Sequence, residues 1–218
     1  MMGSNASRAV SLRHLFPGVA DTPDVRVCDI TTHSGRVVPG GLFIACRGYR
    51  GHGIDYLPEA LAHAPGAVAW EPAPNVEAPE IPPGIPHIAV RGLADQVGAV
   101  ADRFFDAPSQ ALHVTGITGT NGKTTTAWLS AQALRLLGHS VGYMGTLGWG
   151  LGPELEESSL TTPGCIVVHR RLSALRDAGA ESAVLEASSH GLDQGRLDGV
   201  AVRAAAFTNL SHDHLDYH

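Results

Sequence analysis

Short apolar runs alternate with helix-spaced stretches along most of the 218-residue chain. The apolar runs predict strands at residues 25–30, 42–46, 67–70, 87–90, 112–117, 140–144, 182–185 and 200–207. Apolar residues spaced as on one helix face predict helices at residues 55–63, 93–105 and 166–175, and one more that ends at Gly138. A glycine-rich loop is predicted at residues 145–152. Alternation of strands and helices indicates an α/β fold with a mostly parallel sheet.

A polar turn at residues 106–109 divides this pattern into two domains. We predict a small N-terminal α/β domain at residues 1–107 and a second domain, with a phosphate loop and a mostly parallel sheet, at residues 108–218. A proline-rich stretch at residues 72–86 offers another place for a domain linker. Because strand-like runs flank it on both sides, we favour a surface loop inside the first domain.

The stretch at residues 114–126 reads V-T-G-I-T-G-T-N-G-K-T-T-T and joins a predicted strand to a predicted helix. Glycines allow backbone N–H groups to turn toward a phosphate, and the N-terminus of a helix is electropositive. Lys123 adds a positive charge, and Thr124 offers a hydroxyl to Mg²⁺. The Walker A pattern has a glycine where this chain has Ile117, so the pattern here is G-x-x-G-K-T-T. We predict a phosphate site; the alternative is a glycine-rich turn with an incidental lysine.

Polar residues also follow two later strands. Glu186 directly follows the run at residues 182–185, where P-loop proteins present a carboxylate to Mg²⁺ or its waters. Residues 208–214 follow the last strand, and ligands collect at the carboxyl ends of parallel strands, so we expect these segments to converge. His214 is a candidate metal ligand. Zinc is an alternative because His212 lies two residues away, although no nearby cysteine or further histidine completes four ligands.

Two shorter motifs leave alternatives open. Ser188-Ser189-His190 suggests a nucleophilic serine, but the stretch has no G-x-S-x-G elbow. Hydrogen bonding to substrate or to loop backbone is the favoured role for these hydroxyls. The Thr161-Thr162-Pro163 motif is either an N-cap or the start of a helix that faces an anionic ligand.

Composition excludes several classes of function. Hydrophobic residues make up 44% of the chain and charged residues 17%, which is typical of a globular protein with a real core. A net charge of −6 without a basic stripe argues against nucleic acid as a partner. The sequence has no signal peptide and no apolar run of about 20 residues, so we expect a cytoplasmic protein without membrane insertion. Its three cysteines lack C-x-x-C spacing, which predicts buried free thiols.

Four motifs together resemble the Mur ligase family. They are G-T-N-G-K-T-T at 119–125, T-T-P at 161–163, L-E-A-S-S-H-G-L at 185–192 and F-T-N-L-S-H-D-H-L-D-Y-H at 207–218. Within the family, S-S-H-G-L together with H-L-D-Y-H is most similar to the MurE type. The resemblance implies an ATP-dependent ligase of peptidoglycan synthesis. Such an enzyme adds meso-diaminopimelate or L-lysine, as the third amino acid, to UDP-N-acetylmuramoyl-L-alanyl-D-glutamate through an acyl phosphate.

The resemblance also implies a role for individual residues. The family's ATP-binding positions correspond to Gly119, Thr120, Asn121, Gly122, Lys123, Thr124 and Thr125. Its catalytic positions correspond to Lys123, Glu186 and His214, and its Mg²⁺ positions to Thr124, Glu186 and His214. The positions that hold the UDP-muramoyl substrate correspond to Ser34, Tyr49, Arg50, Gly51, Thr161, Thr162, Ser188, Gln194 and Arg196.

The chain departs from the family pattern in two places. His33-Ser34-Gly35 replaces the usual D-S-R, which leaves only Ser34 of that motif for contacts with the nucleotide. The sequence stops at His218, before the family's carbamylated lysine and its C-terminal ligase domain. We therefore expect this fragment, as a monomer, not to complete the reaction alone. The alternatives are another ligase of the superfamily, MurT-like or cyanophycin-synthetase-like, and a non-catalytic module that binds a nucleotide or a UDP-sugar.

Overall fold

The computed structural model describes residues 9–49, 51–74 and 76–212. The chain divides into two compact units between Phe104 and Phe105. Each unit combines helices with a largely parallel sheet, so the α/β class predicted from the alternation of apolar patterns is confirmed.

The first unit is built on four short parallel strands. They are β3 (Ile30–Thr31), β4 (Leu42–Ala45), β5 (Ala67–Trp70) and β6 (His87–Ala89), paired in chain order. All four residues of β4 are buried, as expected for an apolar strand in the middle of a parallel sheet. The helices of this unit are α1 (Leu12–Leu15), α2 (Leu57–Ala62) and α3 (Val97–Phe104). Strands β1 (Val10–Ser11) and β2 (Arg26–Val27) form a separate antiparallel pair.

The single strand predicted at residues 25–30 is wrong, because its two ends pair with different partners. Arg26–Val27 pairs with β1, whereas Ile30 pairs with Leu42 of β4. Alternation of apolar and polar residues reports which side chains are buried, but it does not report which strand lies alongside. The hydrophobic pattern therefore does not show that the strand is interrupted at residues 28–29.

The proline-rich stretch lies within the first unit. It connects β5 to β6, which run parallel to each other. Ile81 and Ile85 pack against a cluster that contains Phe43 and Val68. This loop therefore contributes apolar surface to the core of the first unit, which explains why two isoleucines lie among the prolines.

The second unit contains a five-stranded sheet. Its strands are β7 (His113–Thr118), β8 (Val141–Gly145), β9 (Gly148–Leu151), β10 (Ser182–Glu186) and β11 (Val202–Phe207). The order is β11-β7-β10-β8-β9, and every pair is parallel except β8 with β9. Its helices are α4 (Lys123–Leu136), α5 (Cys165–Asp177) and α6 (Ser189–Asp193).

Helices cover both faces of this sheet. Successive residues of β10 show the alternation: Val184 packs in a cluster with Ala127 of α4, whereas Leu185 packs in a cluster with Leu172 of α5. Burial of such side chains stabilises the fold by about 1.5–3 kcal/mol each. Because both faces are covered, the strand ends are held rigidly, and β10 delivers Glu186 at a fixed place.

The glycine-rich loop predicted at residues 145–152 is wrong. Strands β8 and β9 form an antiparallel hairpin in which Gly145 pairs with Gly148, so residues 146 and 147 make a two-residue turn. Gly148 has φ +129°, and a Cβ there would lie 2.4 Å from the carbonyl oxygen of Glu156. Residue 148 must therefore be glycine because a neighbouring backbone approaches it closely. In the sequence alone, such a glycine is typical of a loop.

Candidate functional site

The G-x-x-G-K-T-T stretch forms the turn between β7 and α4. Helix α4 begins at Lys123, and Gly122, in the left-handed region with φ +80°, is its N-cap. Gly119 has φ +128°, and a Cβ there would lie 2.1 Å from Oγ1 of Thr208. Both glycines are thus needed for the path of the backbone. The loop ends at the N-terminus of a 14-residue helix, where free N–H groups attract anions.

The segment after β11 holds this loop in place. Asn209 pairs with the backbone of Asn121 through two hydrogen bonds, since its Oδ1 accepts from Asn121 N at 3.0 Å and its Nδ2 donates to Asn121 O at 2.9 Å. The amide of Ser211 donates to Oγ1 of Thr120 at 2.9 Å. Two segments predicted to converge therefore do so, and the loop is held in one conformation by its own chain.

Lys123 lies over the same loop. Its Nζ donates to the carbonyl oxygens of Gly119 at 2.6 Å and Thr120 at 3.1 Å. An ammonium group has three N–H bonds. Within the described residues these two carbonyls use two of them, which leaves one for an anionic oxygen at the loop.

Thr124 and Glu186 meet at the start of α4. The Thr124 hydroxyl donates to Oε2 of Glu186 at 2.8 Å. The carboxylate, at the carboxyl end of β10, is only 1% exposed. A buried charge is costly unless hydrogen bonds compensate for it. Mg²⁺ prefers oxygen ligands such as hydroxyl and carboxylate groups, so Thr124 and Glu186 are suitable ligands for this ion.

The strand and turn next to β10 supply the other hydrogen bonds to Glu186. The Tyr143 hydroxyl donates to Oε1 at 2.5 Å, and the Thr146 amide donates to the same oxygen at 2.9 Å. Burial raises the pKa of Tyr143 above its ordinary value, and the hydrogen bond to Glu186 contributes to a smaller extent. The hydroxyl therefore keeps its proton. Sequence reasoning missed both residues. The signals were a single hydroxyl in the apolar strand V-G-Y-M-G and the glycines that bracket Thr146-Leu147.

The T-T-P motif packs against this strand end and does not cap α5, whose N-cap is Gly164. The N-cap interpretation is therefore wrong, because the Thr162 hydroxyl is directed toward β10. That hydroxyl donates to the carbonyl oxygen of Glu186 at 2.8 Å and accepts from Ser188 N at 3.0 Å. The Thr161 hydroxyl lies 2.9 Å from that of Thr146, which places it beside the Glu186 hydrogen bonds.

Ser188 is the N-cap of α6, a short helix that the sequence pattern did not predict. Its Oγ accepts from the amide of Gly191 at 3.1 Å. Gln194 and Arg196 follow this helix. Nε and Nη2 of Arg196 donate to Oε1 of Gln194, and Nη1 donates to the carbonyl oxygen of Thr162 at 2.7 Å. Five of the predicted substrate residues are therefore joined, directly or through their neighbours, at this end of the sheet.

The remaining predicted residues lie elsewhere. Ser34 is buried in the first unit, where its hydroxyl donates to Oε2 of Glu59 at 2.5 Å. Tyr49 is 76% exposed and precedes Gly51 in the same unit. Arg50 and His214 lie outside the described residues, so their predicted contacts stay predictions.

Metal ligands of the kind that hold zinc are not gathered in the described part of the chain, which contains no group of three or more His, Cys, Asp or Glu side chains able to bind a metal ion. His212 is exposed. The residues that do converge, Thr124 and Glu186, present oxygen and no sulfur or nitrogen, so they suit Mg²⁺ better than zinc.

A glycine turn joins a parallel strand to a long helix, with a Lys-Thr pair and a strand-end carboxylate beside it. This is the arrangement found in P-loop proteins. Residues 117–218 match the family described as the Mur ligase middle domain. The second unit therefore matches the Mur ligase family, in agreement with the resemblance of the chain's motifs.

Curated relatives carry the name UDP-N-acetylmuramoyl-L-alanyl-D-glutamate--2,6-diaminopimelate ligase. The protein of this name from Xanthomonas campestris is 47% identical over 212 residues, which are 97% of this chain and 42% of the relative. The one from Pseudomonas aeruginosa is 47% identical over 209 residues, 96% of this chain and 42% of the relative. A solved structure with this name superimposes with a TM-score of 0.76 at 29% identity, covering 97% of this chain and 42% of that one.

The chain thus spans 42% of the length of these relatives. Among the residues that the structure describes, none of the helices combines the length and apolar character needed to cross a membrane.

Proposed function

We propose that the second unit binds ATP with Mg²⁺, and that the first unit binds the UDP-muramoyl substrate, in a ligase of the MurE type. The whole protein would join a third amino acid to UDP-N-acetylmuramoyl-L-alanyl-D-glutamate through an acyl phosphate. Among the amino acids considered, 2,6-diaminopimelate is favoured over L-lysine, because curated relatives at 47% identity carry it in their name. The activity is assigned to the whole protein, since this chain spans 42% of such relatives.

The observation that carries the proposal is the 2.8 Å contact between Thr124 and Glu186 at the start of α4. It places a hydroxyl and a carboxylate, from residues 62 positions apart in the chain, beside the phosphate loop. Both groups suit Mg²⁺, which when bound would offset the charge of phosphate oxygens. His214 would add a third contact. The residues of the described site therefore fit the ion that the family is expected to use.

The loop itself would hold the phosphates. Its backbone N–H groups and the N-terminus of α4 attract negative charge, and the remaining N–H of Lys123 would stabilise the charge that develops as the phosphoryl group moves. Gly119, Thr120, Gly122 and Thr125 would contribute backbone or hydroxyl contacts. The amide of Asn121 has a different task, since it is paired with Asn209.

The group around α6 would hold the muramoyl-peptide substrate. Thr161 is the candidate for direct contact, because the Thr162 and Ser188 hydroxyls are engaged with backbone groups. Gln194 and Arg196 form a hydrogen-bonded pair that would present guanidinium and amide groups to a polar ligand. Thr162 and Ser188 would act by shaping this site.

In the first unit, Ser34, Tyr49, Arg50 and Gly51 would contact the uridine diphosphate. The Ser34 hydroxyl hydrogen is used by Glu59, so its oxygen is available to accept from a donor on the ligand.

A binding experiment tests the nucleotide part on this 218-residue chain. Affinity for a fluorescent ATP analogue is measured while Mg²⁺ is varied, in the wild type and in Lys123→Ala, Glu186→Gln and Leu136→Ala. We expect Lys123→Ala to weaken binding at least tenfold and Glu186→Gln to remove most of the Mg²⁺ dependence. Leu136, which is 89% exposed at the far end of α4, supplies the matched control. Wild-type protein that does not bind the analogue would overturn the assignment of ATP.

A ligation assay tests the rest. The full-length protein is incubated with ATP, UDP-muramoyl-dipeptide and either diaminopimelate or L-lysine, and the tripeptide product and ADP are measured. We expect product with diaminopimelate and none from the 218-residue chain alone. Ligation of a different carboxylate substrate would favour another enzyme of the superfamily. Nucleotide binding without ADP release from the full-length protein would favour a non-catalytic module.

A further inference from the structure

Thr146 contacts both the proposed Mg²⁺ ligand and the proposed substrate residue. It lies in the two-residue turn between β8 and β9. Its amide donates to Oε1 of Glu186 at 2.9 Å, and its hydroxyl donates to Oε2 at 3.2 Å. The same hydroxyl lies 2.9 Å from that of Thr161. None of the motifs that resemble the family includes this residue.

The carboxylate sets the direction of these hydrogen bonds. An ionised carboxylate only accepts, and a threonine hydroxyl carries a single hydrogen. Once Thr146 donates that hydrogen to Glu186, the contact with Thr161 requires Thr161 to be the donor. The reverse arrangement would set the lone pairs of Thr146 against a buried negative charge, at 3.2 Å and without a hydrogen between them. The chain of donors therefore runs from Thr161 through Thr146 to Glu186.

The direction decides what Thr161 offers to a ligand. Because its hydrogen is directed inward, only its lone pairs face outward, so it can accept from an N–H or O–H group but cannot donate to an anionic oxygen. We propose that Thr146 is a positioning residue, which orients the Glu186 carboxylate and makes the Thr161 hydroxyl an acceptor for an amide N–H of the peptide-bearing substrate. The inference rests on the proposed function, because it assumes that Thr161 faces that substrate.

The β8–β9 hairpin is built to lie close to the Glu186 carboxylate. A Cβ at Gly145 would lie 2.1 Å from Oε1 of Glu186 and 2.5 Å from the Tyr143 hydroxyl, so the hairpin approaches the carboxylate as closely as backbone permits. The pairing of Gly145 with Gly148 fixes the turn, and with it the position of the Thr146 amide. The hairpin thus brings three donors to Glu186: the Tyr143 hydroxyl and the amide and hydroxyl of Thr146.

A matched pair of variants tests the proposal. Thr146→Val keeps the shape and the backbone amide but removes the hydroxyl, whereas Thr146→Ser keeps the hydroxyl. In the full-length protein we expect Thr146→Val to raise the KM for the peptide substrate about tenfold, the effect of one lost hydrogen bond, and to raise the Mg²⁺ concentration needed for half-maximal activity. Thr146→Ser should restore both values. Unchanged values in Thr146→Val, or no rescue by serine, would overturn the positioning role.

A second readout does not depend on any ligand. Unfolding of the 218-residue chain is compared for Thr146→Val, Thr161→Val and the double variant. Because Thr161 is proposed to act through Thr146, the double variant should lose little more unfolding free energy than either single variant. If the losses of the two single variants add up in the double variant, the donor chain is overturned. If coupling is found but the wild-type full-length protein does not bind the peptide substrate, the proposed function fails and the acceptor role of Thr161 fails with it.

Discussion

Thr162 donates a hydrogen bond from its hydroxyl to the backbone carbonyl oxygen of Glu186, at 2.8 Å. The same oxygen atom of Thr162 accepts from the amide of Ser188 at 3.0 Å. The side chain is 2% exposed. Thr162 therefore links the backbone on both sides of residue 187, where the chain leaves β10. It holds in place the strand end that carries Glu186.

Thr162→Val should destabilise the second unit. Valine has the shape of threonine but leaves the Glu186 carbonyl and the Ser188 amide without their partner. An unsatisfied buried group costs about 1–3 kcal/mol, so we expect the free energy of unfolding to fall by about that amount. Urea denaturation measures it. Thr162→Ser keeps the hydroxyl and is the matched control; a serine variant as unstable as the valine variant would contradict the bridging role.

Gly119→Ala should abolish tight binding of an ATP analogue while leaving the helical content unchanged. A Cβ at residue 119 would lie 2.1 Å from Oγ1 of Thr208 and 2.9 Å from the carbonyl oxygen of Asn209, so the loop must move. We expect at least a tenfold loss of affinity, measured by fluorescence titration, with circular dichroism to check folding. Gly164→Ala is the control, since its φ is −58° and nothing lies within 4 Å of its Cβ. Equal affinities in the two variants would refute this explanation.

The residues of the proposed nucleotide site could largely be predicted from the sequence, whereas the residues that hold them in place could not. The stretch from Gly119 to Thr125 is contiguous, and its glycines, lysine and threonine each have a local chemical meaning. Glu186 follows an apolar strand, and parallel strands bring their carboxyl ends together.

Thr146 and Tyr143 are different. They reach Glu186 across separations of 40 and 43 residues because β8 lies next to β10 in the sheet. Hydrophobic periodicity indicates that a strand exists but not which strand is its neighbour. For the same reason the pattern at residues 25–30 does not reveal that one end pairs with β1 and the other with β4. The glycines of β9 predict a loop, although they lie in a strand.

Asn209→Asp should weaken nucleotide binding more than removal of a neighbouring apolar side chain. The carboxylate keeps the acceptor for Asn121 N but loses the donor to Asn121 O, and it sets a negative charge against that carbonyl and beside the phosphate loop. We expect about a tenfold loss of affinity for the ATP analogue. Leu210→Ala, at a side chain that is 83% exposed, is the control. An unaltered affinity in Asn209→Asp would show that Asn209 does not hold the loop.

Stability of the first unit should fall as the pH rises from about 9 to about 11. Cys46 directly follows β4. Burial, and to a smaller extent the negative charge of Glu71, raise the pKa of its thiol from 9.0 to about 11. Below pH 9 the thiol is protonated in both folded and unfolded chains, so its contribution is fully present. Above that pH the unfolded chain loses the proton first, and unfolding becomes more favourable, by about 2–3 kcal/mol at the end of the window.

The test follows urea denaturation at several pH values between 8 and 11. The chain has three tryptophans, so Trp70 of β5 becomes the reporter for the first unit when Trp128 and Trp149 are replaced by phenylalanine. In this background we expect Cys46→Ala to remove most of the decline that begins at about pH 9. Cys28→Ala controls for the loss of a thiol as such. A decline equally steep in Cys46→Ala would mean that another group produces it, and the burial of the Cys46 thiol would then have no consequence for stability.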